Sequence, residues 1–105
     1  MEFIVYKNRA RFKRGILTSF DELPEDKKII FKKIKNHLTE NLDKNVNVSI
    51  FGSFRHGIWD DYSDYDVTVN VGGDYQKISK QINEKLNIKV DIFYQTTNSD
   101  LIIIP

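Results

Sequence analysis

Residues 51–66 read Phe51-Gly52-Ser53-Phe54-Arg55-His56-Gly57-Ile58-Trp59-Asp60-Asp61-Tyr62-Ser63-Asp64-Tyr65-Asp66. An alternating apolar run (Val46, Val48, Ile50) enters this stretch and a second (Tyr65, Val67, Val69, Val71) leaves it. The alternation predicts two neighbouring strands, with a glycine-serine turn at the end of one and an acidic pair at the start of the other. Gly52 permits close backbone approach to a ligand. Ser53 supplies a hydroxyl and an N-cap for a short helix expected to begin at Phe54, whose exposed N–H groups would bind phosphate oxygens. Strand residues two apart share a face, so Asp64 and Asp66 project together while Tyr65 and Val67 point to the core. Two adjacent carboxylates repel each other and add nothing to a core. Around magnesium, which takes oxygen ligands from one or two carboxylates plus substrate phosphates, they have a use.

Beyond this stretch, Gly72-Gly73 breaks the second strand and Asp74 caps a helix over Tyr75 to Leu86, with Ile78, Ile82 and Leu86 recurring every fourth residue and Asn87 as the stop. Ile88 to Tyr94 reads as a third strand with Ile88, Val90, Ile92 and Tyr94 on one side and Asp91 on the other. A strand-helix-strand succession returns the chain alongside its start. If the third strand lies beside the second, Asp64, Asp66 and Asp91 converge, and three carboxylates can serve two metals. Leu101 to Ile104 is a brief apolar run expected at a sheet edge.

Before the stretch, residues 21 to 43 predict a helix with Asp21 as cap, Pro24 in the first turn and acidic residues at its start. Ile30, Phe31, Ile34, Leu38 and Leu42 form its apolar stripe. Lys27, Lys28, Lys32, Lys33 and Lys35 read as a solvated face, and His37 as a surface residue. Upstream, Phe3 to Tyr6 is β-prone, and Lys7, Arg9, Arg11, Lys13 and Arg14 follow within eight residues. This segment reads equally well as an arm for a polyphosphate, nucleic-acid backbone or acidic partner and as an edge strand guarded by charge. Trp59 and Tyr62, in the loop before the acids, are expected to cover the short helix against the sheet; base stacking is the competing use.

Composition limits what these pieces can belong to. A chain of 105 residues, 40% hydrophobic, builds one core, so residues 1–105 are expected as a single domain with 1–20 as a basic N-terminal extension. Sixteen basic residues nearly balance fifteen acidic ones, which gives no support for a protein held to nucleic acid by bulk charge. The absence of cysteine excludes disulfides, cysteine zinc sites and thiol catalysis. No apolar run approaches a membrane span, and Met1 to Lys7 lacks the build of a signal peptide, so a soluble cytoplasmic protein is expected.

Gly52-Ser53, about ten residues, then Asp64-Tyr65-Asp66, with Asp91 in the later strand, resembles the signature of the DNA polymerase β-like nucleotidyltransferases, and among them the small minimal nucleotidyltransferase domains. The resemblance covers roughly residues 22 to 94. It implies an α+β fold, a mixed β-sheet with packed helices of the polymerase β palm type. It implies that Asp64 and Asp66 bind two magnesium ions, with manganese as a substitute, and that Asp91 completes the metal site and assists the attacking hydroxyl. Gly52 and Ser53 would hold the triphosphate. Small members often read Gly-Ser-x-Ala-Arg-Gly, whereas this chain has Gly-Ser-Phe-Arg-His-Gly, with Arg55 one position early as the nucleotide-binding arginine. The activity implied is transfer of AMP from ATP to a hydroxyl, with a partner protein as acceptor, as in antitoxins that modify a HEPN-type toxin. A non-catalytic nucleotide- or partner-binding protein of the same fold and an RNA-directed transferase are the alternatives.

Overall fold

A computed structural model describes residues 2–6, 9–13, 15–95 and 102–105, the first two segments by their backbone alone. The element order is β1 (Glu2–Tyr6), β2 (Arg9–Lys13), a short 3-10 turn (Phe20–Glu22), α1 (Glu25–Asn41), β3 (Val48–Phe51), β4 (Ile58–Trp59), β5 (Tyr65–Val69), α2 (Tyr75–Leu86), β6 (Val90–Tyr94) and β7 (Ile102–Ile103). This is the α+β architecture expected. The central sheet runs β6-β5-β3-β7, with β5 and β6 parallel and the other neighbours antiparallel, so it is mixed. A second sheet, β1-β2-β4, is antiparallel and ties the basic N-terminal segment to the loop before the acids. That segment is therefore a hairpin docked through Phe12↔Trp59 and Lys13↔Ile58; its side chains lie outside the described residues.

One face of the central sheet is apolar at every register position. Val48 pairs with Val69, Ile50 with Val67, Val67 with Ile92, and Tyr65 with Val90. These residues join Phe31, Ile34, Leu38, Ile78 and Ile82 in one core. Phe54, fully buried, is its aromatic hub: it stacks on Tyr65 (centroids 4.8 Å apart) and on Trp59 (5.2 Å), and meets Phe31 edge to face at 5.2 Å. Trp59 thus covers the turn against the sheet, as expected.

Three local expectations are corrected. Helix α1 begins after Pro24, not at Asp21, because a residue before proline disfavours helical dihedrals; Leu23 is extended and Pro24 O accepts the first helical N–H groups. Lys27 leaves the solvated face: its side chain is only 14% exposed and its Nζ donates to Tyr65 Oη at 3.2 Å. His37 is half-buried, with both ring nitrogens enclosed and without a hydrogen-bond partner in the cleft between α1 and α2.

Helix α2 is capped by Asp74 Oδ1, which accepts Lys77 N–H at 3.2 Å, and closes at Asn87 with a left-handed φ of 54°. Its inner face fixes the start of β6. Asn83 Oδ1 accepts Val90 N–H at 2.8 Å and the Ser79 hydroxyl donates to Val90 O. The outward backbone groups of Val90 are thereby satisfied by side chains of the crossover helix, which sets where the next residue, Asp91, sits.

Candidate functional site

The carboxylates are assembled by strand register. Asp66 lies across from Phe51 on the antiparallel side and level with Asp91 on the parallel side, so Phe51, Asp66 and Asp91 form one row on the face turned away from the apolar core. Asp64 precedes β5, where Tyr65 N–H donates to Lys89 O at 2.8 Å and prolongs the pairing by a step. There Lys89 Nζ stands 3.4 Å from Asp64 Oδ2. Lys89 went unnoticed in the sequence; its only signal is the parallel register itself, since a strand that pairs Asp66 with Asp91 brings Asp64 beside Lys89.

Asp66 is half-buried, and its carboxyl is pushed up to about 6. Burial is the largest cause, the charges of Asp91 and Asp64 come next, and a hydrogen bond with Asp91 adds to them against the opposing pull of Lys89. The parallel register sets Asp66 and Asp91 side by side, so their like charges oppose one another. A pair of carboxylates that resists double ionisation has the donor chemistry of a divalent-cation site, in which the cation supplies the charge that the proton otherwise brings. Among the described residues no group of three Asp, Glu or His side chains by itself forms a set that could hold a metal ion. Two carboxylates open to completion by phosphate oxygens are nonetheless the usual magnesium arrangement.

The glycine-serine turn abuts this row. Gly52 has φ +72°, and a Cβ built on it would overlap Asp66 Oδ2. Only glycine satisfies both conditions, and through it the turn's backbone reaches the carboxylate. The helix expected from Phe54 is not formed. Residues 52–57 make a single turn in which His56 N–H donates to Gly52 O at 3.1 Å, and Ile58 N–H then closes on Ser53 O at 2.9 Å. Gly57, at φ +70°, terminates the turn at once, in the six-to-one closure that ends helices. The site of a Gly57 Cβ is filled by the backbone carbonyl of Gly15, and Leu17 N–H donates to Arg55 O at 2.9 Å. Residues 15–17 thus clamp the turn from outside.

Ser53 and Arg55 are half-buried. Arg55 forms no ion pair among the described residues, and its Nε is enclosed without a partner. Asp60 shapes its own loop: its carboxylate accepts from Tyr62 N–H at 2.8 Å and from the Ser63 hydroxyl at 3.2 Å. Tyr62 is 76% exposed, and the buried ring that covers the turn is Trp59.

The model of the nucleotidyltransferase domain family matches residues 31–104. The match begins within α1 and reaches past β7, leaving the N-terminal hairpin outside. No curated protein and no solved structure matches the chain. No helix among the described residues is long and apolar enough to cross a membrane.

Proposed function

The chain belongs to the nucleotidyltransferase domain family, and on that premise we propose that it transfers AMP from ATP to a hydroxyl of a partner protein with the help of divalent metal. The observation that supports this most is the contact of the Gly52 backbone with Asp66 while Asp91 stands level with it on the next strand. A triphosphate lying along the Gly52-Ser53 turn has its α-phosphate at the carboxylate row. Asp64, Asp66 and Asp91 are the residues that would hold magnesium, which when bound neutralises the triphosphate and lowers the pKa of a coordinated hydroxyl. Gly52 and Ser53 orient the β- and γ-phosphates, and Arg55 adds a cation to that end. Asp91 accepts the acceptor's proton as the new oxygen–phosphorus bond forms and the bond to pyrophosphate breaks.

One observation favours a second reading, nucleotide or partner binding without transfer: Asp64 is engaged by Lys89, and no ready three-carboxylate set exists among the described residues. Label transfer from α-labelled ATP, measured with nucleotide affinity, separates the two. Transfer by the wild type should vanish in Asp91→Asn while nucleotide affinity stays within about threefold. Asp66→Asn should lose both. Full transfer by Asp91→Asn would refute the three-carboxylate mechanism, and nucleotide binding with no transfer to lysate protein would establish the second reading.

A further inference from the structure

Two aromatic rings stand beside the carboxylates on the face of the sheet that carries them. Phe51 is the cross-strand partner of Asp66, and Phe93 follows Asp91 by two residues on the same side of β6. Their rings meet edge to face at 5.6 Å although β5 runs between their strands, so the pair arches over the middle of the sheet. Beneath it the polar Ser49 and Thr68 are buried. The outer sides of the rings remain in solvent, with Phe51 42% and Phe93 44% exposed, and Ile103 extends the apolar surface. Exposed aromatic surface of this kind contributes little to the core and favours contact with another molecule.

The direction of transfer decides which molecule. This step rests on the function proposed above. With the leaving pyrophosphate at the Gly52-Ser53 end of β3, an in-line attacking oxygen must arrive from the far side of the α-phosphorus. Across the sheet from β3 that side is β6, where Asp91 and Phe93 stand. Strands β3, β5, β6 and β7 contain no lysine or arginine, and Lys89, just ahead of β6, is engaged by Asp64. A nucleic-acid acceptor brings phosphates that need cations along their track, whereas a protein segment needs apolar cover. We infer that Phe51 and Phe93 are positioning residues for a protein acceptor: a Ser, Thr or Tyr hydroxyl whose neighbouring apolar side chain rests on Phe93, so that the hydroxyl is held at Asp91. Phe51 braces the Phe93 ring from across the sheet.

The test uses peptides with one central Ser, Thr or Tyr and randomised flanks, together with an oligoribonucleotide carrying a free 3′ hydroxyl, in label transfer from α-labelled ATP with magnesium. Labelled peptides should be enriched in Phe, Leu, Ile or Trp beside the hydroxyl. For the best of them, Phe93→Ala should raise KM about tenfold with kcat changed less than twofold. Phe93→Tyr should restore KM, and Phe51→Ala should give a smaller rise in the same direction. ATP affinity and melting temperature should stay near wild type in all three, which a merely structural role of these rings would not allow. Labelling of the oligoribonucleotide instead of peptide, polar-flanked peptides labelled as well as apolar ones, or an unchanged KM in Phe93→Ala would each overturn the inference. A wild-type protein that binds ATP with magnesium yet labels no peptide also overturns it, leaving nucleotide binding intact; failure to bind ATP removes the underlying transferase reading as well.

Discussion

Three glycines hold left-handed backbone, and their surroundings grade the effect of adding one methyl group. Gly15 has φ +92° with nothing near its would-be Cβ, so Gly15→Ala carries only the conformational cost of an L-residue there, about 1–2 kcal/mol. Gly52→Ala carries the same cost and in addition drives its Cβ into Asp66 Oδ2, which must swing off its rotamer at roughly 0.5–1.5 kcal/mol more. Gly57→Ala meets the backbone of Gly15, which has no side-chain freedom to yield; overpacking of about 1–3 kcal/mol adds to the dihedral cost. At roughly 4–8 °C per kcal/mol for a domain of this size, thermal melts should rank the losses Gly57→Ala, Gly52→Ala, Gly15→Ala from largest to smallest. The decisive measurement repeats the melts with ATP and magnesium at about a hundredfold over Kd, where a binding-competent protein gains about 2.7 kcal/mol. Gly15→Ala should keep that gain, and on the proposed placement of the phosphates Gly52→Ala should lose most of it, because its methyl group displaces the carboxylate against which the glycine-serine turn lies. A Gly52→Ala protein with the full ligand-induced shift would refute the placement of phosphate and metal at this contact.

The raised carboxyl of Asp66 gives a pH prediction. Its native pKa of about 6 lies above the ordinary 3.8, so its contribution to stability is full below pH 3.8 and is lost as pH rises through 6. Without divalent cation, Asp66→Asn should therefore melt higher than wild type at pH 7.5 and equal to it at pH 3; a variant no more stable at pH 7.5 would contradict the buried-charge account. Magnesium and ATP together should raise the melting temperature by more than the sum of their separate effects, since in the proposed function phosphate oxygens would complete a shell that the aspartates leave open, and strictly additive shifts would count against a shared site. Phe54→Ala, which empties the fully buried hub of the aromatic cluster, should cost about 3–5 kcal/mol in denaturant titration, while Tyr62→Ala, at an exposed ring, should stay within about 0.5 kcal/mol.

Periodicity in the sequence carried the three core strands, the two long helices and the buried faces they present. Alternation placed Val48, Ile50, Val67 and Val69 in the core and turned Asp66 and Asp91 away from it, because the period of a strand is fixed by backbone geometry. The four-residue repeat of Ile78, Ile82 and Leu86, with Asp74 and Asn87 at the ends, defined α2 for the same kind of reason: caps and stripes are local. What local pattern could not carry was anything decided by distant pairing. The short helix anticipated at Phe54 stops after one turn at Gly57, and what the local pattern did not show is that this closure packs against the backbone of Gly15, forty-two positions earlier in the chain. The burial of Lys27 depends on Tyr65, and the ion pair of Asp64 with Lys89 on a parallel register held in place by Ser79 and Asn83 of α2. The arch of Phe51 over Thr68 to Phe93 spans three strands. Each of these is a contact between segments whose order in space follows from closing the sheet, and the energy that selects it belongs to the packed whole and not to any window of residues.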